Sequence, residues 1–165
     1  MSKISKVVHP LDPLYDKDSR VLILGTLPSP LSRANNIYYG NPRNRFWRVI
    51  SSIFDEDLPE DNEGKRALAH RHHLAITDVI KSGDIVGASD ASIRNPVPYD
   101  FTPIFNTADI QAIFTTGSKA TELYRKLCEP TTNRPCIGLP STSPANAAWS
   151  LERLIEAYKV IREYV

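Results

Sequence analysis

Four short apolar runs punctuate a mostly polar chain, each bounded by turn-forming residues. They are Val21-Leu22-Ile23-Leu24, Leu74 to Ile80, Ile110 to Thr115, and Arg134 to Leu139. Continuous rather than alternating apolar character over such short runs predicts strands buried on both faces. The predicted strands are therefore 20–25, 74–80, 110–115 and 134–139. Between them the spacing turns helical. Over 44–54, Phe46, Val49, Ile50, Ile53 and Phe54 fall on one face, and over about 147–164 Leu151, Leu154, Ile155, Tyr158 and Ile161 do the same. Shorter helices are predicted at 63–73 and 118–128, the second turning Leu123, Tyr124 and Leu127 inward.

The remaining segments read as connections. Residues 1–19 are a polar, proline-interrupted lead-in placed along the surface, and 55–63 are a solvated acidic loop. Residues 81–107 form a long connection rich in Gly, Asp, Asn and Pro, a length that loops in compact domains reach when they carry function or are disordered. Strands alternating with helices predict an α/β fold: a three-layer α/β/α sandwich around a parallel sheet of about four strands. The polar loops 25–45 and 140–146 both leave strands at their carboxyl ends. In a parallel sheet those ends share an edge, so the two loops face one cleft.

Size and charge narrow this picture. A length of 165 residues suits one domain spanning 1–165, and no apolar run approaches the roughly 20 residues of a membrane span. The N-terminus lacks an apolar stretch of the secretory kind, and two cysteines do not make a disulfide framework, so a reducing cytoplasm is the expected setting. Those two cysteines also cannot supply an iron–sulfur cluster. A net charge of +1 does not announce a nucleic-acid partner, so any basic surface has to be local. No repeat or low-complexity segment is present.

Several chemistries are excluded by what the cleft lacks. There is no G-x-x-x-x-G-K-[ST] phosphate loop, no G-x-G-x-x-G fingerprint, and Ser29 does not stand in a G-x-S-x-G elbow. His70, His72 and His73 read as a helix terminus rather than a metal site, because no cysteine or placed carboxylate accompanies them. The cleft instead gathers Asn35, Asn36, Asn41 and Asn44 with Tyr38, Tyr39, Phe46 and Trp47, and with Arg33, Arg43, Arg45 and Arg48. In the plain view, Phe46 is core, Trp47 packs a loop and the asparagines cap turns. In the functional view, this is a pocket for a planar base, with aromatics to stack on, amides to read an edge and arginines for flanking phosphates.

The stretches GTLPS…YYGNPRNRFW and LPSTSPANA, with LAITDVI and GASDASIRN between them, resemble the uracil-DNA glycosylase superfamily, and within it the hypoxanthine/deoxyinosine-DNA glycosylase branch. The resemblance runs from about residue 10 to the end. It implies a three-layer α/β/α sandwich with a parallel four-stranded sheet, and excision of a deaminated base without metal or cofactor. The implied partner is DNA containing hypoxanthine, with uracil or xanthine as further substrates, and a monomer suffices. In the mismatch-specific thymine/uracil relatives the first motif reads G-I-N-P-G and its asparagine positions the attacking water. Leu27 stands there in this chain. The hypoxanthine branch instead places its catalytic asparagine in the P-R-N-R-F-W segment, which matches Asn44. Asn41 stands where relatives commonly carry histidine.

By the same resemblance Tyr39 is the face on which a flipped base stacks. Gly25, Thr26, Leu27, Pro28 and Ser29 form the wall of the base pocket, with Phe46 and Asp78 as further base-binding positions. Arg43, Arg45, Ser141, Thr142, Ser143, Pro144 and Asn146 match the DNA-contacting positions. Ser143 followed by Pro144 also reads as the N-cap and first position of the last helix. Asp78 and Asp90 are alternative carboxylates, each a general base or a turn cap. Two other classes remain open: a lesion-binding module that does not cut, and a hydrolase of small nucleosides.

Overall fold

A computed structural model describes residues 4–86 and 93–165. Its centre is a parallel sheet of four strands, β2 (Val21–Gly25), β3 (Leu74–Asp78), β6 (Ala112–Thr116) and β7 (Ile137–Leu139), in the order β3-β2-β6-β7. All five residues of both β2 and β3 are buried. Register places Val21 opposite Leu74 and Gly25 opposite Asp78, so these two strands end together.

Successive strand residues point to opposite faces and feed two separate cores. Val21, Ile23, Leu74 and Ile76 pack under α2 (Phe46–Ile53), α3 (Asn62–Arg71) and α7 (Leu151–Tyr158). Leu22, Leu24, Ala75 and Ile113 pack under α4 (Thr102–Thr107) and α5 (Ser118–Leu123). Each fully buried Leu or Ile contributes about 1.5–3 kcal/mol of burial. The result is the expected α/β/α sandwich.

Three departures matter for the site. The lead-in is not a surface strap: β1 (Ile4–Val8) pairs antiparallel with β4 (Ile80–Val86), which pairs with β5 (Arg94–Pro98), making a second, three-stranded sheet. Leu14 then bonds both ways with Ile76, at 2.9 and 2.8 Å, covering the free edge of β3. Within the loop after β2, Pro30–Asn35 form a helix, α1, with Ser29 as its N-cap.

The last helix starts at Leu151, capped by Ser150, and not near Ser143. The carbonyls of Ser143 and Asn146 accept from Arg45 and also from the backbone amides three residues on, those of Asn146 and Trp149. This stretch is therefore a pair of turns rather than the i→i+4 ladder of a helix. After α5 the chain widens into a π turn (Tyr124–Cys128) before α6 (Glu129–Thr132). Pro130 has no N–H to continue an α ladder there.

Candidate active site

The carboxyl end of β2 is held rigidly. Past the last ladder residue, the Val79 amide donates to the Gly25 carbonyl at 2.7 Å and the Ile80 amide to the Thr26 carbonyl at 3.2 Å. Thr26, Leu27 and Pro28 follow, all buried. Leu27 offers only hydrocarbon at the wall, so no polar group there can hold water. Ser29 accepts from the Ser32 amide and donates to the Ser32 hydroxyl, so its oxygen is spent on α1.

From α1 the chain returns to the sheet through a knitted turn. Asn36 closes the helix in the left-handed region, Asn35 Nδ2 donates to the Gly40 carbonyl, and the Gly40 amide donates to Ser32 Oγ. Tyr39 sits inside that turn at φ 55°, a conformation bulky residues rarely adopt. Its ring is half-buried and stacks on Phe46 at 3.8 Å between centroids with 11° between planes. Its hydroxyl hydrogen-bonds Thr116 Oγ1 at 2.8 Å, at the end of β6. One aromatic face is thus backed and the phenol is tethered. Phe46 itself is completely buried, so it supports Tyr39 and does not touch a base. The Trp47 indole N–H donates to the Tyr38 carbonyl at 2.8 Å, fixing the turn from below.

Asn44 lies at the threshold of α2. Its Oδ1 accepts from the Phe46 amide at 2.9 Å and from the Thr142 hydroxyl at 2.8 Å. Both lone pairs of the carbonyl are therefore in use, and Nδ2 has no partner among the described residues. The capping and functional views of Asn44 are compatible, since one end of the amide caps and the other end stays available.

Arg45 joins this segment to the loop after β7. Its backbone amide donates to the Thr142 carbonyl, and its guanidinium donates to the carbonyls of Ser143, Asn146 and Trp149. The loop is also braced internally: Ser143 N to Ser141 Oγ, Ala145 N to Ser143 Oγ, and Asn146 Nδ2 to the Ser141 carbonyl. Tyr158 of α7 donates to the Pro140 carbonyl at 2.6 Å. Thr142, expected at the DNA surface, is instead enclosed, and Arg45, expected there too, is half-buried with its guanidinium spent on the loop's carbonyls. Pro42, Arg43, Pro144, Ala145, Ala147 and Ala148 are exposed. Beyond the loop an open cleft lies between α5 and β7, with Ser118, Arg125, Lys126, Pro140 and Trp149 among its walls.

Asp78, at the end of β3, is buried and bonded to a residue the sequence did not flag. His9 Nε2 lies 2.7 Å from Asp78 Oδ2. Burial raises the Asp78 carboxyl above its ordinary range, and His9 works against that rise. Burial, then the Asp78 charge, pushes the Tyr39 phenol well upward, so it stays neutral. The Thr116 hydroxyl was also missed; its only signal is a polar residue at a strand's carboxyl end. Asp90 lies outside the described residues.

The histidine cluster is dispersed among separate partners. His70 pairs with Asp16 at 2.9 Å, while His72 pairs with Glu56 and stacks on Phe54. Among the described residues no three His, Cys, Asp or Glu side chains are grouped to hold a metal ion.

Comparison with known proteins agrees with this geometry. The sequence profile of the Uracil DNA glycosylase superfamily matches residues 13–163. A hypoxanthine DNA glycosylase of Methanosarcina acetivorans is 33% identical over 151 residues, covering 90% of this chain and 94% of that one. Another, from Methanosarcina barkeri, is 34% identical over 112 residues, covering 67% and 71%. A Methanosarcina acetivorans protein solved by solution NMR and described as a candidate uracil DNA glycosylase superposes with a TM-score of 0.81 at 30% identity, over 98% of each chain. The chain belongs to the uracil DNA glycosylase superfamily.

Proposed function

We propose that this protein is a DNA glycosylase that removes hypoxanthine from DNA, with uracil and xanthine as further substrates, by flipping the base and hydrolysing its N-glycosidic bond. The observation that carries this is the Asn44 amide, clamped at its oxygen by Phe46 and Thr142 with Nδ2 left over, on the segment that also holds Tyr39. Extruding a base costs a few kcal/mol, least for a mispaired one, and stacking on Tyr39 returns roughly 1–3 kcal/mol.

Bond breaking leaves an electron-poor sugar, which needs only a weak nucleophile. A water accepting from Asn44 Nδ2–H has its other lone pair directed at the sugar carbon. The C–N bonding pair leaves with the base, the water's oxygen bonds the carbon, and the proton it then sheds passes to solvent or to the departing base. The relatives' names support hypoxanthine as the first substrate. Arg43 and the tip of the 140–149 loop face the duplex, and Arg45 holds that tip in shape.

The test is single-turnover excision from duplexes carrying hypoxanthine, uracil or xanthine, read as alkali-labile sites. The native protein should cut at hypoxanthine. Asn44→Ala should lose about 100-fold or more in rate while binding the same duplex, the scale of a lost transition-state contact. Native rates in Asn44→Ala remove the role of the amide. No cutting at any of the three bases removes the function, and lesion binding alone would then describe the chain.

A further inference from the structure

His9 and Asp78 form a buried couple that the steps above leave unused. His9 directly follows β1, its backbone amide donating to the Lys81 carbonyl at 2.7 Å. The two side chains are 0% and 5% exposed. The other ring nitrogen, Nδ1, is 2.9 Å from the Leu11 carbonyl. A carbonyl only accepts, so Nδ1 carries a hydrogen. Two arrangements remain for Nε2. Either it donates to the Asp78 carboxylate as an imidazolium, or it accepts from the Asp78 carboxylic acid. In both, one proton lies between Nε2 and Oδ2, and Oδ1 presents only lone pairs.

Oδ1 is at the wall of the base pocket. A Cβ on Gly25 would lie 2.5 Å from it and 3.1 Å from the Tyr39 hydroxyl, so the carboxyl approaches only because that residue is glycine. Among the described residues Oδ1 has no hydrogen-bond partner. Chemistry then favours certain bases. Hypoxanthine and uracil carry a ring N–H on the pairing edge where their parents adenine and cytosine carry a lone pair, whereas xanthine shares its ring N–H with its parent guanine. A group that can only accept hydrogen bonds attracts the N–H and repels the lone pair.

We propose that His9 is a positioning residue: by sharing one proton with Asp78 Oδ2 it keeps Oδ1 an acceptor, and this acceptor favours the N–H edge of hypoxanthine and uracil over the lone-pair edge of adenine and cytosine. The proposal rests on the glycosylase function proposed above. Without the imidazole, a buried carboxyl takes up a proton on either oxygen, and Oδ1 becomes a donor part of the time. The remaining titratable neighbours are Tyr38, Tyr39 and Tyr99, all pushed upward by burial and by the Asp78 charge, and Asp12, which faces Tyr38 and Tyr99. No tyrosine in this set changes charge near neutral pH.

The experiment measures single-turnover excision of hypoxanthine, and binding to duplexes carrying hypoxanthine or adenine, from about pH 5.5 to about pH 9. It compares the native protein with His9→Leu, His9→Gln and Asp78→Leu. His9→Leu should be about tenfold slower at the acid end and recover toward the alkaline end, as Asp78 loses its proton. His9→Gln, whose amide N–H can still donate to Oδ2, should stay nearer native than His9→Leu. Asp78→Leu should lose about tenfold or more at every pH, because the acceptor is gone. A uniform rate loss or no loss in His9→Leu, or native rates in Asp78→Leu, overturns the proposal. If His9→Leu does not fold, His9→Gln decides: a loss as large as that of Asp78→Leu overturns the proposal. A native protein that excises nothing overturns the glycosylase function, whereas its preference for the hypoxanthine duplex over the adenine duplex in binding still reports on the acceptor.

Discussion

The Thr142 hydroxyl donates to Asn44 Oδ1 at 2.8 Å, across 98 positions of sequence. This bond joins the two loops that leave β2 and β7, and it decides which end of the Asn44 amide is left over. Thr142→Val should keep the shape and lose the donor. Excision should fall about tenfold, the equivalent of about 1.4 kcal/mol, while Thr142→Ser stays near native. Equal rates in Thr142→Val would mean the Phe46 amide alone orients Asn44.

Tyr39 combines a left-handed backbone with a ring pressed against Phe46. Strain of this kind costs about 1–3 kcal/mol and persists only where the surroundings hold it. Tyr39→Ala should slow excision roughly 5- to 150-fold through lost stacking, with little change in affinity for undamaged duplex. Tyr39→Phe keeps the ring and loses only the Thr116 tether, so it should fall between native and Tyr39→Ala. The two variants ranked the other way would place the role in the hydroxyl.

Arg45 serves three carbonyls with one planar group, which a lysine cannot reproduce. Arg45→Lys should leave the thermal midpoint within a few degrees while hydrogen exchange of residues 141–149 accelerates and excision drops about tenfold or more. Native exchange in that segment would show that the loop holds itself.

Cys128 is buried in the core beside α5, and burial, then the neighbouring Cys136, pushes its thiol up to about 11. In the folded protein it is a thiol at neutral pH and should resist alkylation until the chain unfolds, as followed by mass spectrometry in increasing urea. The linked stability has a definite sign. A raised value means the folded state binds the proton more tightly, so this contribution is complete below the unfolded value of about 8.5 and is lost as pH rises through about 11. Fast labelling at neutral pH without denaturant would contradict this.

What the sequence reveals follows from how each element is buried. The four parallel strands are visible because strands covered on both faces have no polar alternation to dilute them. The small sheet is hidden for the opposite reason. Its strands read ISKVV, IKSGDIV and RNPVP, with prolines and a glycine in them, and β4 meets β5 through register shifts. Helix α1 did carry its signal, Ser29 before Pro30, yet six residues with no apolar face and one buried side chain, Ser32, look like loop. Tyr39 and Asn44 stand in motifs that can be recognised. Thr142 and Arg45 stand in the same motifs, but their inward direction depends on where the opposite loop lies. His9 had no motif at all, since its partner is 69 residues away.

The loop after β7 owes its form to Arg45 and to Tyr158, one far upstream and the other close to the end of the chain. A polypeptide emerging from the ribosome therefore completes Gly25, Tyr39 and Asn44, and the Phe46 amide that Asn44 accepts from, long before it has Thr142 to close the clamp. Any fragment ending before β7 carries the aromatic face without the clamp. The full clamp on Asn44 thus forms last in synthesis, well after the aromatic face beside it.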